Sequence, residues 1–315
     1  MPNDALDRRP LGRTGLLVPP LCVGCAPLGD MPDTFAYGVS EAQALATIRV
    51  ALASPISFLD TAASYGDGES ERRIGLVLRE QGGVPPGVVL ATKADRDLQT
   101  GEFTGDQMRR SVERSLRLLG VDRLQLCYLH DPEHIDFAAA MAPGGPVAAL
   151  QQLHDEGVIE HLGVAGGPIP MMTEFVATDL FEVAISHNRF TLLNQEAEPF
   201  WDACRQHGVA ALNAAPYGSG MLAKGPRAYP RYMYGRASED QMQRAAALEA
   251  ACHRYQVPLA AVALQFSLRE PRISSTIVGM SKPERLAETL TLAQMPIPDA
   301  LWQEVARLRG GELHA

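Results

Sequence analysis

Four side chains in the first half of this 315-residue chain have the types and spacing for proton chemistry: Asp60, Tyr65, Lys93 and His130. Three of them end short apolar runs suited to buried strands, Phe58-Leu59-Asp60, Leu90-Ala91-Thr92-Lys93 and Tyr128-Leu129-His130, and Tyr65 lies on the loop after the first. Adjacent strands lie about 4.8 Å apart, so groups at their carboxyl ends can converge on one pocket. An ammonium held by a carboxylate next to a phenol is expected to lower the phenol's pKa from about 10, letting Tyr65 give or take a proton near neutral pH. A neutral imidazole beside it would orient a carbonyl or hydroxyl oxygen. The set suits carbonyl/alcohol interconversion.

These groups need a parallel sheet to position them. Segment 58–71 starts as a strand, breaks into small residues and glycines, and restarts as a helix with Ser70 as its expected N-cap. The pattern recurs. Strand-like runs at 21–24, 58–60, 88–92, 124–129, 162–164, 181–185, 209–213 and 275–278 make eight units. The helical spacing that follows them starts at Ser40 and near Ser70, Thr104, Pro146, Ile169, Pro199, Ser238 and Lys282. Strands apolar on both faces, each followed by a helix, predict a closed (β/α)8 barrel of the TIM type. An open doubly wound sheet is the alternative, but no G-x-G-x-x-G follows the first strand. Residues 8–18 read as two short strands about a Gly-Arg-Thr-Gly turn, so the first 18–20 residues are expected to form a hairpin within one domain spanning 1–315.

Composition excludes several classes. With 46% hydrophobic and 21% charged residues the chain reads as folded and globular. A net charge of -9 argues against sequence-independent binding to nucleic acid or to an anionic membrane, and favours a small-molecule substrate. The start of the chain lacks a signal-peptide pattern and no apolar run is long enough to span a bilayer, which places the protein in the cytoplasm. The five cysteines are odd in number and scattered; Cys22 and Cys25 form a CxxC, but on an apolar strand rather than a helix start, so no redox or metal role is expected. His130 and His134 are four apart with Pro132 between them, which does not suit a helical metal pair. No metal is expected. His187 would face the pocket from the sixth strand, and Arg189 and the tyrosine-rich stretch 227–236 could close over a ligand.

The segments Asp60-Thr61-Ala62-Ala63-Ser64-Tyr65-Gly66, Ala91-Thr92-Lys93 and Leu129-His130 resemble the Asp/Tyr/Lys/His tetrad motifs of the aldo-keto reductase family, and the likeness covers nearly the whole chain. The resemblance implies that Tyr65 is the general acid/base, that Lys93 depresses its pKa, that Asp60 pairs with Lys93, and that His130 positions the substrate oxygen. It also implies NADP or NAD as cofactor, with hydride transfer that needs no metal.

The stretch from Val278 to Thr289 resembles the family's adenosine-phosphate site, which implies cofactor contacts at Gly279, Ser281, Arg285, Glu288 and Thr289. Many NADP-binding members carry a lysine where Gly279 stands, so NAD or dual use is an expectation. Asn213 to Leu222 resembles the loop along the pyrophosphate and implies contacts at Gly218, Ser219, Gly220 and Met221. Other positions depart from the family pattern. Ala214 replaces a stacking tyrosine, Ala165-Gly166 a Ser-Asn pair, and His187 a glutamine, so the nicotinamide contacts are not carried over.

Segments Gly163 to Pro170 and Asn188 to Leu193 look like the family's bacterial branch of L-fucose and D-threo-aldose 1-dehydrogenases, with pyridoxal 4-dehydrogenase close by. The implied reaction is oxidation of an aldose at its anomeric carbon, with Tyr65 as the base. Pyridoxal 4-dehydrogenase and a general aldehyde or ketone reductase are the enzymatic alternatives. From another class comes a cofactor-binding regulatory subunit like the potassium-channel β-subunits, which share this barrel.

Overall fold

A computed structural model describes residues 6–309; residues 1–5, the beginning of the stretch expected to form the hairpin, and 310–315 lie outside it. Eight strands, β1 (Leu21–Gly24), β2 (Phe58–Asp60), β3 (Val89–Ala94), β4 (Leu126–His130), β5 (Leu162–Gly166), β6 (Val183–His187), β7 (Ala210–Ala214) and β8 (Ile273–Gly279), form a closed barrel. Every neighbouring pair is parallel, and β8 returns to pair with β1. The barrel expected from the sequence is present.

Side chains such as Cys22, Phe58, Leu126, Tyr128 and Leu212 fill the barrel axis, while a second, larger core lies between strands and helices. Burial on both faces is why the strands read as continuous apolar runs. The hairpin, Arg9–Pro10 paired antiparallel with Leu17–Val18, stops the amino-terminal end of the barrel. Its Leu11 and Val18 are buried in the axial core. Arg9 donates to the carbonyls of Leu268 and Ile273, and Arg13 to those of Asp179, Phe181 and His207. With that end plugged, a ligand has only the carboxyl end to enter.

The helices follow their strands: α1 (Glu41–Leu52), α2 (Glu69–Gln81), α3 (Gly105–Leu119), α4 (Pro146–Asp155), α5 (Ile169–Val176) and α6 (Glu198–Gln206). Ser40, Thr104 and Ser238 cap their helices through side-chain oxygens, as their types suggest. Ser70 does not. Gly68, at φ +85°, is the N-cap of α2, and the Ser70 hydroxyl instead donates to the Cys25 carbonyl beside Thr61. From Ser238 to β8 the chain forms two helices where the sequence suggested one, α7 (Glu239–Arg254) and α8 (Leu259–Leu268). The break falls at Gln256 (φ +56°) and Pro258, which cannot continue a helix from α7. After α9 (Glu284–Gln294), α10 (Asp299–Arg309) extends past the eighth unit. No described helix is long and apolar enough to cross a membrane.

Helix α2 buries a carboxyl against β3. Glu71 is fully buried, accepts from Thr92 Oγ1 at 2.5 Å, and leaves Oε2 without a partner among the described residues. Burial pushes its carboxyl up to about 7. An acid that binds its proton more tightly when folded loses native stability as pH rises from its unfolded to its folded pKa. Glu71→Gln is therefore expected to stabilise the protein by roughly 1–3 kcal/mol above neutral pH and to change little near pH 4. Urea unfolding at the two pH values checks this.

Candidate active site

The carboxyl ends of β2, β3 and β4 bring Asp60, Lys93 and His130 to one point, and the loop after β2 returns Tyr65 to it. Lys93 is 2% exposed. Its ammonium donates to Asp60 Oδ1 at 2.6 Å, the Thr61 carbonyl at 2.7 Å and the Tyr65 hydroxyl at 3.1 Å. Three donors meet three acceptors, so the proton of the Tyr65 hydroxyl is free to point into the cleft. Burial disfavours the ammonium, but Asp60 and Tyr65 outweigh it and hold the Lys93 pKa above its usual value.

For Tyr65 the balance falls the other way. Burial raises the phenol's pKa; Lys93 lowers it, as the sequence suggested, yet burial wins and the phenol titrates above its ordinary value. The expectation of a net depressed pKa is corrected. A ring removed from water loses more hydration of its phenolate than one shared ammonium returns.

His130 stands edge-on to Tyr65, ring centroids 5.9 Å apart. Its Nδ1 is 2.6 Å from Asp95 Oδ1 and its Nε2 3.6 Å from Asp131 Oδ1. Burial works against its charged form, but the two aspartates raise its pKa above the usual value. Asp95 escaped the sequence reading although a signal was present: it lies two residues after Lys93, and strand alternation puts both on one face.

A second cluster was also missed. Asp131 (φ +43°), Glu133 and His187 bring ligand-capable atoms within 4.8 Å of one another beside His130. Asp131 Oδ1 and Glu133 Oε2 are buried and have no hydrogen-bond partner among the described residues. Gly166 leaves room here: a Cβ would stand 2.9 Å from Glu133 Oε2 and 2.7 Å from Met172 Sδ, and those side chains would have to shift. Burial holds the His187 imidazole below its ordinary pKa, so it faces the cleft neutral. The wall is rich in acceptors and suits a ligand that presents several donors.

All of this opens into a cleft of about 880 Å³ that runs to the start of α9. Of the expected cofactor contacts, His187, Ser219, Gly220, Gly279, Ser281, Arg285 and Glu288 line it. Three do not. Gly218 lies under the Tyr232 ring, the Met221 side chain is in the core, and Thr289 is buried against Met280. Residues 218–220 all have positive φ, a turn in which the N–H groups of Gly218 and Gly220 donate to the carbonyls of Ala215 and Tyr217, and α9 directs its amino terminus at the far end. Gly279 abuts Pro27, and Arg285 is paired with Glu288 at 3.2 Å. Ala214 and Tyr217 both form part of the wall.

Stretch 227–236 folds into a small hairpin, Arg231–Tyr232 against Gly235–Arg236. Tyr229 and Tyr234 reach the cleft rim, where Tyr234 packs edge-on against Phe35 at 6.2 Å. Arg189 does not reach the cleft; it packs on Met233 and pairs with Glu196. Cys22 and Cys25 are free, buried thiols whose pKa values burial raises, which makes them inert core residues.

A closed parallel barrel with a buried Asp-Lys-Tyr relay and a histidine at its mouth defines a barrel oxidoreductase. The chain belongs to the aldo/keto reductase family, whose profile matches residues 20–309. It is 31% identical to a D-threo-aldose 1-dehydrogenase of a Pseudomonas species, over 94% of this chain and 95% of that one. It is 30% identical to a pyridoxal 4-dehydrogenase of Microbacterium luteolum, over 95% and 96% of the two chains. In fold it resembles the holo form of an aldo-keto reductase from Bacillus halodurans, with a TM-score of 0.79 at 22% identity over 96% of each chain.

Proposed function

We propose that this chain, read as one barrel domain over 1–315, is an NAD(P)-dependent dehydrogenase that oxidises the anomeric carbon of an aldose such as L-fucose to the lactone. The observation that carries this reading is the Lys93 ammonium divided among Asp60, Thr61 and Tyr65 at the base of the cleft, with His130 alongside. The acceptor wall of Asp131 and Glu133 supports a substrate with several hydroxyl donors. Five unpaired, buried cysteines accord with a cytoplasmic location.

In this reading the Tyr65 oxygen takes the proton of the lactol hydroxyl, Lys93 steadies the phenolate, Asp60 holds Lys93, and His130 orients the reacting oxygen. A nicotinamide dinucleotide, when bound, supplies the hydride acceptor. Ser219, Ser281 and Arg285, with the start of α9, are the groups suited to hold its phosphates. Burial favours the neutral phenol, so oxidation is expected to quicken on the alkaline side of neutrality. Pyridoxal is the second substrate to consider, on the strength of the Microbacterium relative. Formation of reduced nicotinamide from L-fucose, D-arabinose, L-galactose and pyridoxal, each with NAD and with NADP, tests the proposal; no turnover of any sugar would overturn the aldose reading.

Glu288 bears on cofactor choice. Its carboxylate neutralises Arg285, and a 2′-phosphate would meet it unfavourably. Glu288→Gln is expected to shift relative affinity toward NADP by roughly fivefold, as one exposed charge contact of about 1 kcal/mol would. The ratio of the two dissociation constants from fluorescence titration checks this, and an unchanged ratio counts against it.

A further inference from the structure

We propose that Tyr234 is a substrate-binding residue: its ring, held at the cleft by a hairpin turn, is the platform on which a flat apolar face of the substrate rests. The inference rests on the reading above for the substrate, and the chemistry shared by its two candidates is the C–H face of a pyranose or the ring of pyridoxal. Tyr234 lines the cleft and is 39% exposed, and its hydroxyl lies within reach of the charges of Tyr65, Lys93 and Asp131. Phe35, in the segment after β1, packs edge-on against it, and the Tyr229 hydroxyl donates to the Phe35 carbonyl at 3.4 Å. The same cleft presents polar groups at Asp131 and His187. An aromatic face beside polar groups suits a ring that carries hydroxyls at its edge and C–H bonds on its faces.

The backbone holds Tyr234 there under strain. Met233 (φ +49°) and Tyr234 (φ +64°) are the two central residues of the hairpin that pairs Arg231–Tyr232 with Gly235–Arg236. Such a turn favours asparagine or glycine at both positions, and a bulky side chain in the left-handed region is disfavoured. The surroundings fix the conformation. Tyr232, two residues earlier, is buried with its ring against Gly218 and its hydroxyl 2.7 Å from Thr191 Oγ1. The Tyr234 N–H donates to Ser219 Oγ at 3.0 Å, and its carbonyl accepts from Arg231 Nη2 at 2.7 Å. A tyrosine adds nothing to a turn that asparagine would make more easily, so its use lies in the surface its ring gives the cleft. The contact is apolar. It neither gives a proton to the reacting hydroxyl nor takes one from it, and the exchange between that hydroxyl and Tyr65 is left as it stands.

The test compares wild type, Y234A, Y234N and Y234F in the intact enzyme, with L-fucose and with pyridoxal as substrates. Asparagine tolerates the left-handed region, so Y234N is expected to have a Tm at or above that of the wild type and keeps the test open if Y234A does not fold. Y234A and Y234N are expected to raise KM roughly tenfold, with kcat and the cofactor dissociation constant changed by less than about twofold. Y234F, which keeps the ring, is expected to rescue KM to near the wild-type value. The substrate whose KM rises identifies the face that is bound, sugar or pyridine ring. An unchanged KM in Y234N overturns the proposal. So does a KM as high in Y234F as in Y234A, which would assign the effect to the hydroxyl, or a rise confined to the cofactor dissociation constant, which would assign Tyr234 to the cofactor. Absence of wild-type turnover with both compounds would instead refute the reading beneath this proposal, and the platform with it.

Discussion

Tyr65→Phe is expected to lower turnover by about 10²–10⁴-fold while leaving the fold and cofactor affinity nearly unchanged. The phenylalanine ring fills the same space and removes only the oxygen that stands 3.1 Å from the Lys93 ammonium. That oxygen is the one group in the relay free to exchange a proton with the cleft, because Asp60 and Thr61 engage the other two ammonium protons. The measurement is kcat beside a fluorescence titration of the cofactor. Unimpaired turnover would exclude Tyr65 as the proton carrier.

Lys93→Met should damage both stability and rate. It leaves Asp60 fully enclosed and without its cation, and Asp60 Oδ2 already has no partner among the described residues. Breaking a buried pair in this way costs about 3–5 kcal/mol, whereas removing both charges is often close to neutral. The double variant Asp60→Asn/Lys93→Met is therefore expected to recover most of the lost stability but none of the turnover, since Tyr65 still lacks its ammonium. Denaturant midpoints and kcat for the three proteins separate the two effects. A single-variant cost below about 1 kcal/mol would show that the pair is better hydrated than its burial implies.

The barrel and its hairpin were legible because their signals are local. Each strand is apolar on both faces, each helix has its own spacing, and three serine or threonine caps do what their side chains suggest. Ser70 misled because a cap depends on backbone geometry, and glycine at φ +85° occupies that place. The helix break at Gln256 to Pro258 is marked in the sequence by the proline, inside the one helical unit expected from Ser238.

Asp60, Lys93 and His130 could be found from residue type and position at strand ends, with Tyr65 on the loop after the first, and that much the sequence determined by itself. What those groups do to one another was decided by the tertiary structure. Whether Lys93 or burial governs Tyr65 depends on how much water the folded chain removes, a balance no spacing encodes. The Asp95 partner of His130 and the Asp131, Glu133 and His187 wall join residues from different strand ends, and only closure of the barrel sets them within a few ångströms. Residue identity gave the chemistry available to the site; desolvation and distance, which exist only once the chain is folded, selected among its uses.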